Sequence, residues 1–373
     1  MSQMSNKSEN ALNAICPYFT MFPLEYPTRV LKKYKSSNPI VVDPFCGRGT
    51  TLYAARKLGL DAWGLDSSPV AVAIAKAKLA SCNPDEVIKL AQKIIIETTP
   101  SNIPSSEFFK WAYHEDTLKQ LCALRKGLLN RNRDSNASAV LRAAALGCLH
   151  GPLNKREGIP SYFSNQMPRT FSSKPNYSVR YWKERKLKPK PANIVDVLEK
   201  KVRRLQGLSN EYVGNHNQII FGDSRKPITM TRVSDNFSMV ITSPPYYGMR
   251  TYVQDHWLRN WFLGGPDDVD YIVRNQLDHN GQENFAESLG DVWTNMASSN
   301  ANELRMFVRF GIIPSAKVDT KSIFLSSLES SGERWRLIST RSAKTAQEGK
   351  RQARQMNSKS QAAVEFDFHV LRQ

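Results

Sequence analysis

Short apolar runs alternate with amphipathic stretches near both ends of the chain. The strand-like runs occupy 40–42, 62–65, 218–221 and 238–241, with further candidates at 305–310, 335–340 and 365–370. Helical patterns occupy 50–58 and 69–80, and an earlier helix is expected to begin near Thr28. Because strands that alternate with helices form βαβ units, this pattern predicts an α/β fold with a mostly parallel sheet.

Between residues 84 and 217 the pattern is helical and contains no strand-like run. Apolar residues recur at helical spacing over 85–97, 107–129 and 137–150. A tract rich in Pro, Tyr and Lys follows from 151 to 191, and a basic helix is expected to end near Leu205. We therefore expect 1–83 to form the first part of the α/β domain, 84–217 a largely helical, basic insertion, and 218–373 the second part.

The chain carries a formal net charge of +18, with an isoelectric point near 9.7. A field of this size suits a nucleic-acid partner, although a generally basic, solvated surface is the alternative. Residues 155–204 hold 14 Lys or Arg against 4 Asp or Glu, a balance of +10, with aromatic residues between the charges. The basic candidates for phosphate contact are Arg169, Lys174, Lys183, Arg185, Lys186 and Lys188. A second basic segment lies at 341–359.

Cysteine and histidine usage argues against a metal site. The five cysteines are odd in number and have no Cys-x-x-Cys spacing, and the six histidines are scattered. No metal and no disulfide framework are therefore expected. Because no apolar run approaches ~20 residues and the first residues are polar, we expect neither a membrane span nor a signal peptide, and hence a cytoplasmic protein.

The segment Asp43-Pro-Phe-Cys-Gly-Arg-Gly-Thr-Thr51 connects an apolar run to a helical pattern. A strand, a glycine turn and a helix amino terminus form the cradle with which open α/β sheets bind nucleoside cofactors. The turn differs from the dinucleotide fingerprint, because Leu52 stands where the third glycine would fall. Asp66 ends the next strand-like run, at the offset where an acid binds a ribose diol, and a helix cap is its alternative role.

The segment Thr242-Ser-Pro-Pro-Tyr246 ends another apolar run. Two prolines fix the backbone bend, with a hydroxyl beside them and an aromatic ring just beyond. This combination suits the binding of a flat, polar ring.

Together the two segments resemble the amino-methylating DNA methyltransferases, which transfer a methyl group from S-adenosylmethionine to cytosine N4 or adenine N6. The resemblance covers roughly 19–80 and 219–370, and the two motifs are specific as a pair. It implies a Rossmann-like class I methyltransferase fold with helices on both faces of the sheet. The insertion lies earlier in the chain than the family order suggests, and we expect it to hold the target-recognition region.

The resemblance also implies individual cofactor contacts. Asp43 and the turn with Gly47 and Gly49 would hold the methionine end of S-adenosylmethionine, and Asp66 the ribose. Phe45, Thr50 and Ser67 are further cofactor-binding candidates. Thr28 lies in a segment, 22–28, that closes over the methionine portion, and Asp223 contacts the adenine amino group. A helix cap at Thr28 and an ordinary turn at Asp223 are the alternatives.

The second motif supplies the catalytic candidates. An exocyclic amino nitrogen is a poor nucleophile because its lone pair is delocalised into the base. The Ser243 hydroxyl and the Pro244 carbonyl are expected to accept its two N–H groups, while Pro245 holds the bend and Tyr246 stacks on the base. The base must first leave the duplex. Carbon-5 methylation would need a cysteine nucleophile, usually after proline, and the chain has no Pro-Cys pair.

The leading hypothesis is a DNA cytosine-N4 methyltransferase, because serine before Pro-Pro-Tyr is typical of that subgroup. Adenine N6 is the first alternative. A guanine-N2 tRNA methyltransferase is the second, and a catalytically inactive DNA-binding regulator is the third. Double-stranded DNA is the expected partner, and a cognate restriction endonuclease is a further candidate partner.

Overall fold

The computed structural model describes residues 12–18, 23–131, 135–152, 158–165, 174–205, 217–248, 253–270, 275–312, 318–343 and 364–373. The chain divides into two compact units. The sheet unit comprises 20–75, 212–251 and 274–373, and the helical unit comprises 1–19, 76–211 and 252–273. The helical unit contains most of the insertion expected at 84–217, together with residues 1–19, 76–83 and 252–273, which the sequence had not assigned to it.

The sheet unit is built on seven strands. They are β1 Val41–Asp43, β2 Ala62–Asp66, β3 Asn217–Phe221, β4 Met239–Thr242, β5 Arg305–Ile312, β6 Trp335–Ser342 and β7 Val364–Arg372. Their order is β3-β2-β1-β4-β5-β7-β6. The first five strands are parallel to one another, and β7 is antiparallel to both β5 and β6. This is the strand order of the Rossmann-like class I methyltransferase fold, so the predicted fold class is confirmed.

Helices lie before β1 and between most of the later strands along the chain. In chain order they are α1 Glu25–Tyr34, α2 Thr50–Leu58, α3 Pro69–Leu79, α4 Pro84–Glu97, α5 Glu107–Ala112, α6 Glu115–Leu129, α7 Asn136–Cys148, α8 Pro175–Glu184, α9 Ile194–Val202, α10 Pro227–Met230, α11 Val253–Phe262, α12 Gln282–Ala297 and α13 Thr320–Ser330. Helices α4 to α9 and α11 belong to the helical unit, and α3 passes from one unit to the other after residue 75.

Each unit has its own apolar core. In the sheet unit, buried strand residues pack against large side chains of α12 and α13, among them Phe285, Trp293 and Phe324. The Trp293 indole N–H donates to Ser327 Oγ at 3.0 Å, which satisfies its polar atom inside this core. In the helical unit, Phe108 lies 4.8 Å from Trp257 between ring centroids, and both rings are buried.

Two local expectations are wrong. The single helix expected over 107–129 is two helices, because Tyr113 and His114 are extended and the His114 Nδ1 caps α6 by accepting the Asp116 N–H at 3.4 Å. The Tyr113 hydroxyl donates to the Leu149 carbonyl at 2.8 Å, a contact that sequence spacing does not reveal. Helix α8 was not expected within the proline-rich tract, but Pro175 occupies its first turn, where a missing N–H costs no hydrogen bond.

Candidate active site

The two sequence motifs meet at one edge of the sheet. β1 ends at Asp43, β2 ends at Asp66, and β4 ends immediately before Ser243. Because β1 pairs in parallel with both β2 and β4, these three carboxyl ends lie on the same edge. The sheet order changes direction between β1 and β4, and ligands of open α/β sheets bind at such a switch point.

Asp43 connects the two motifs directly. Its Oδ1 accepts hydrogen bonds from the Thr242 hydroxyl at 2.6 Å and from the Phe45 backbone N–H at 3.1 Å. Its Oδ2 is buried and has no hydrogen-bond partner within the described part of the chain. Burial raises the pKa of Asp43 from 3.8 to about 6, although the Thr242 hydrogen bond opposes the shift. A buried acceptor without a donor fits a ligand that brings an amino group.

The glycine turn follows Asp43 and begins α2. Gly47 and Gly49 have φ angles of 51° and 74°, a region that favours glycine. A Cβ at position 49 would lie 2.9 Å from the Ala75 Cβ, whereas a Cβ at position 47 would meet nothing nearer than 4.0 Å. Gly49 is therefore required for packing as well as for its conformation, and Gly47 leaves open space above the turn.

Asp66 holds the glycine turn in place. Its Oδ2 accepts the Gly47 N–H and its Oδ1 accepts the Ser68 N–H, each at 2.8 Å. The bond to Ser68 is an Asx turn just ahead of α3, and the cap itself is Ser68, whose Oγ accepts the Ala71 N–H at 3.4 Å. Asp66 is therefore not the helix cap that the sequence offered as an alternative. Each carboxylate oxygen keeps a second lone pair, which can accept a ribose hydroxyl. Burial raises the pKa of Asp66 to about 6, against the effect of both backbone hydrogen bonds.

The remaining cofactor candidates lie in different elements of the sheet unit and differ in burial. Phe45 packs against the apolar core, and Thr50 is the buried first residue of α2. Ser67 is half-buried beside Asp66. Thr28 lies inside α1, where its hydroxyl donates to the Leu24 carbonyl at 2.7 Å. Because the helix begins at Glu25, Thr28 is not the helix cap that its residue type suggested.

Asp223 follows β3 and is buried. The Arg225 side chain donates to both of its oxygens, from Nε to Oδ1 at 3.0 Å and from Nη2 to Oδ2 at 2.7 Å. Burial raises the pKa of Asp223, but the Arg225 hydrogen bonds outweigh burial and the net shift is downward. Arg225 also donates to Ser288 Oγ at 3.1 Å, so the carboxylate is fixed and remains charged.

The catalytic candidates follow β4. Ser243 is half-buried, Pro244 is buried and Pro245 is exposed. The Tyr246 hydroxyl donates to Glu365 Oε1 at 2.7 Å, and its ring lies edge-on to Phe310 with centroids 6.2 Å apart. Burial and the charge of Glu365 raise the pKa of Tyr246 well above its ordinary value, so the hydroxyl keeps its proton.

Sequence reasoning missed several partners of these residues. They are Thr242, which binds Asp43; Arg225, which binds Asp223; and Glu365, which binds Tyr246. Sequence reasoning also missed Gly64 on β2, where a Cβ would lie 2.8 Å from the Leu52 side chain. Arg225 lies two residues from its partner and was open to detection. The others depend on strand pairing or on long-range contacts that a single sequence does not give.

The basic candidates belong to the helical unit. Lys174 precedes α8 and is exposed, and Arg169 lies outside the described residues. Lys183 forms an ion pair with Glu107, which reduces its availability to a phosphate. Arg185, Lys186 and Lys188 are exposed.

Tyrosines and arginines alternate on one face of α8 and at the residue that follows the helix. We name them the α8 ladder: Tyr177, Arg180, the half-buried Tyr181 and Arg185. The two tyrosine rings stack with centroids 6.5 Å apart. The Arg185 guanidinium lies 4.0 Å from the Tyr181 ring centroid, and that of Arg180 lies 5.8 Å from the Tyr177 centroid. Val179 and Trp182 on the opposite face are buried. The ladder thus orients two guanidinium groups on an exposed surface.

The residues at the sheet edge fit a nucleoside cofactor with an amino group. Asp43 offers a buried acceptor, Gly47 leaves open space, and Asp66 retains acceptor capacity beside the turn. In the described ranges, no group of three or more His, Cys, Asp or Glu side chains is arranged to hold a metal ion. A membrane-spanning helix is likewise not found among the described helices, none of which is long and apolar enough.

The strand order and the position of this site define an α/β protein with the class I methyltransferase fold. The DNA methylase family that acts on N6 and N4 amino groups matches residues 1–77. This match bears out the resemblance to the amino-methylating DNA methyltransferases that was drawn from the two motifs.

Curated relatives share part of the chain. The type II methyltransferase M.MjaII of Methanocaldococcus jannaschii is 30% identical over 101 residues, covering 26% of this chain and 19% of that protein. The type II methyltransferase M.MvaI of Kocuria varians is 24% identical over 280 residues, covering 64% of this chain and 57% of that protein. The chain therefore spans less than two thirds of either relative.

Solved structures give a looser similarity. The rRNA methyltransferase aviRa from Streptomyces viridochromogenes is 13% identical, with a TM-score of 0.32 over 95% of this chain and 87% of that one. A score this low carries no argument, so the fold assignment depends on the strand order.

Proposed function

We propose that this protein is an S-adenosylmethionine-dependent DNA methyltransferase that acts on cytosine N4 of a flipped-out base. The observation that carries the proposal is the hydrogen bond from Thr242 to Asp43, at 2.6 Å, which joins the strand before Ser-Pro-Pro-Tyr to the strand before the glycine turn. A residue that binds the cofactor and a residue that binds the base are thereby held at one sheet edge.

The residues at the carboxyl ends of the strands would hold the cofactor. Asp43 would accept hydrogen bonds from the amino group of the methionine portion, Asp66 from the ribose hydroxyls, and Asp223 from the adenine amino group. Phe45, Gly47, Gly49, Thr50, Ser67 and Thr28 surround the ligand. When bound, S-adenosylmethionine supplies an electrophilic methyl group on a sulfonium.

The residues after β4 would prepare the base. The Ser243 hydroxyl and the Pro244 carbonyl accept the two N–H groups of the exocyclic nitrogen, which localises its lone pair for attack. Tyr246 stacks on the base and fixes its plane, while Pro245 restricts the bend that holds these groups. Serine at position 243 favours cytosine N4, and adenine N6 is the alternative within the same family.

The helical unit would contact double-stranded DNA. Support comes from the +10 balance of residues 155–204 and from the α8 ladder, which presents guanidinium groups on an exposed surface. Lys174, Lys186 and Lys188 are exposed on the same segment, and Arg169 is a further candidate from the same basic tract. These contacts position the protein without reading bases. A cognate restriction endonuclease would be a further partner.

The decisive experiment identifies the methylated product. The purified protein is incubated with labelled S-adenosylmethionine and plasmid DNA, and the DNA is digested to nucleosides and separated. We expect label in N4-methylcytosine. Label in N6-methyladenine would select the alternative, and label only in a parallel tRNA sample would overturn DNA as the substrate. Ser243→Ala serves as the inactive control.

A further inference from the structure

Glu365 lies next to the catalytic motif although 119 positions separate it from Tyr246. It is on β7 and pairs across the sheet with Gly311 of β5. Its Oε1 accepts a hydrogen bond from the Tyr246 hydroxyl, with 2.7 Å between the two oxygens, a distance typical of a strong hydrogen bond to a carboxylate. The strand therefore brings a charged acceptor to the far end of the ring that the proposed function uses for stacking.

The same strand carries a second fixed acid. Asp367 lies two residues further along β7 and forms two hydrogen bonds with Arg309 of β5, at 2.7 and 2.9 Å. The Arg309 guanidinium is buried and stacks on the Tyr26 ring of α1, 4.3 Å from its centroid. This ion pair, in which Arg309 is buried and Asp367 half-buried, links β5 and β7 beside Glu365. The acceptor is therefore attached to a rigid part of the sheet.

We propose that Glu365 is a positioning residue that fixes the orientation of the Tyr246 ring for stacking on the target base. The inference rests on the proposed function. A tyrosine ring rotates about two side-chain bonds, and its edge-on contact with Phe310 constrains it from one side. The hydrogen bond fixes the hydroxyl end, so both ends of the ring are held before the base arrives. Preorganisation of this kind affects turnover more than cofactor affinity.

Kinetics and a double-mutant cycle test this role. Glu365→Ala should lower kcat for methyl transfer about 10-fold, the effect of removing one hydrogen bond to a charged group, with cofactor affinity unchanged. Glu365→Gln, which keeps an acceptor oxygen, should recover most of the rate. Tyr246→Phe should resemble Glu365→Ala, and the double variant should be no worse than either single variant. Glu333→Ala, an exposed glutamate before β6, is the matched control.

A measurement without turnover separates the inference from the proposed function. In protein labelled with ¹³C on the tyrosine rings, the Tyr246 signal is identified by its loss in Tyr246→Phe. We expect that signal to shift or broaden in Glu365→Ala and to stay in place in Glu333→Ala. An unchanged signal, or additive rate losses in the double variant, would overturn the positioning role. A wild-type protein that methylates no DNA would instead overturn the proposed function.

Discussion

At the scale of single residues, the site depends on acids whose partners are close to them in space and far away in the sequence. Asp43 binds Thr242 across 199 positions, and Tyr246 binds Glu365 across 119. In both cases a hydroxyl donates to a buried or half-buried carboxylate, so each acid holds a piece of the second motif. The residue types in the two motifs identify Asp43 and Tyr246 as site residues, but they do not reveal the partners, Thr242 and Glu365, that hold them in place.

Ser243→Ala should lower the rate of methyl transfer by two to three orders of magnitude while leaving cofactor affinity nearly unchanged, which corresponds to roughly 3–4 kcal/mol of transition-state stabilisation. The hydrogen bond that this variant lacks strengthens as the amino nitrogen begins to attack, so it contributes little to the ground state. Single-turnover kinetics and calorimetry with S-adenosylmethionine measure the two quantities.

Asp66→Ala is the reciprocal control for Ser243→Ala. It should weaken cofactor binding by roughly 1–3 kcal/mol, since it leaves ribose hydroxyls without an acceptor and releases the Gly47 N–H. If Ser243→Ala reduced cofactor affinity as strongly as Asp66→Ala does, Ser243 would belong to the cofactor site.

Asp43→Asn should change how stability varies with pH. Because the folded pKa of Asp43 is raised from 3.8 to about 6, the folded state binds this proton more tightly than the unfolded state does. The resulting contribution to stability is present below about pH 4 and is lost as pH rises to about 6, by up to roughly 3 kcal/mol. Asp43→Asn, which cannot ionise, should therefore gain stability relative to wild type between pH 4 and pH 7.

Urea unfolding of both proteins without cofactor, at several pH values, measures this difference. The comparison with wild type matters because His256 and His369 have pKa values lowered to about 3 and about 4, and such groups add stability as pH rises. Their effect cancels between the two proteins. A stability difference that does not vary with pH would show that Asp43 titrates normally.

At the scale of elements, periodicity in the sequence was a good guide wherever local pattern decides the structure. The helix expected over 50–58 is α2, Thr50–Leu58, and the strand expected over 62–65 is β2, Ala62–Asp66. The sequence did not predict the break between α5 and α6, where the Tyr113 hydroxyl donates to the distant Leu149 carbonyl. It also did not predict α8, which buries Trp182. The sequence also predicted the cofactor turn. It gave Asp66 only as a ribose contact or a helix cap, and it did not predict the hydrogen bond that Asp66 accepts from the Gly47 N–H.

Gly49→Ala should destabilise the protein more than Gly59→Ala does. Both glycines flank α2 with φ above 70°, so each substitution carries a backbone cost of roughly 1–2 kcal/mol. Only at position 49 does the new Cβ meet an obstacle, the Ala75 Cβ at 2.9 Å, while nothing lies within 4 Å at position 59. Overpacking should add roughly 1–3 kcal/mol at Gly49. Chemical denaturation measures both, and equal destabilisation would mean that the turn can move away from α3.

At the scale of the whole molecule, charge is distributed unevenly along the chain. The +18 total includes a +10 balance within residues 155–204, all of which lie in the helical unit. The structure changes which of these charges are good candidates for phosphate contact. Lys183 is paired with Glu107, whereas the α8 ladder presents Arg180 and Arg185, which share only the exposed Glu184 as an acidic neighbour among the described contacts. Exposed pairs of that kind are weak and give way readily to a phosphate.

Replacing Arg180 and Arg185 together with Gln should weaken binding to all duplex DNA and make the salt dependence shallower, by about 0.9 in slope for each phosphate that is no longer neutralised. Sequence preference should persist, because backbone contacts position the protein without reading bases. Lys89→Gln with Lys93→Gln removes the same charge from exposed positions of α4 in the same unit and controls for the general field. Affinity measured by fluorescence anisotropy over a series of salt concentrations gives the slopes. If both double variants change the slope equally, the tyrosine stacking of the ladder confers no advantage, and DNA binding depends on net charge alone.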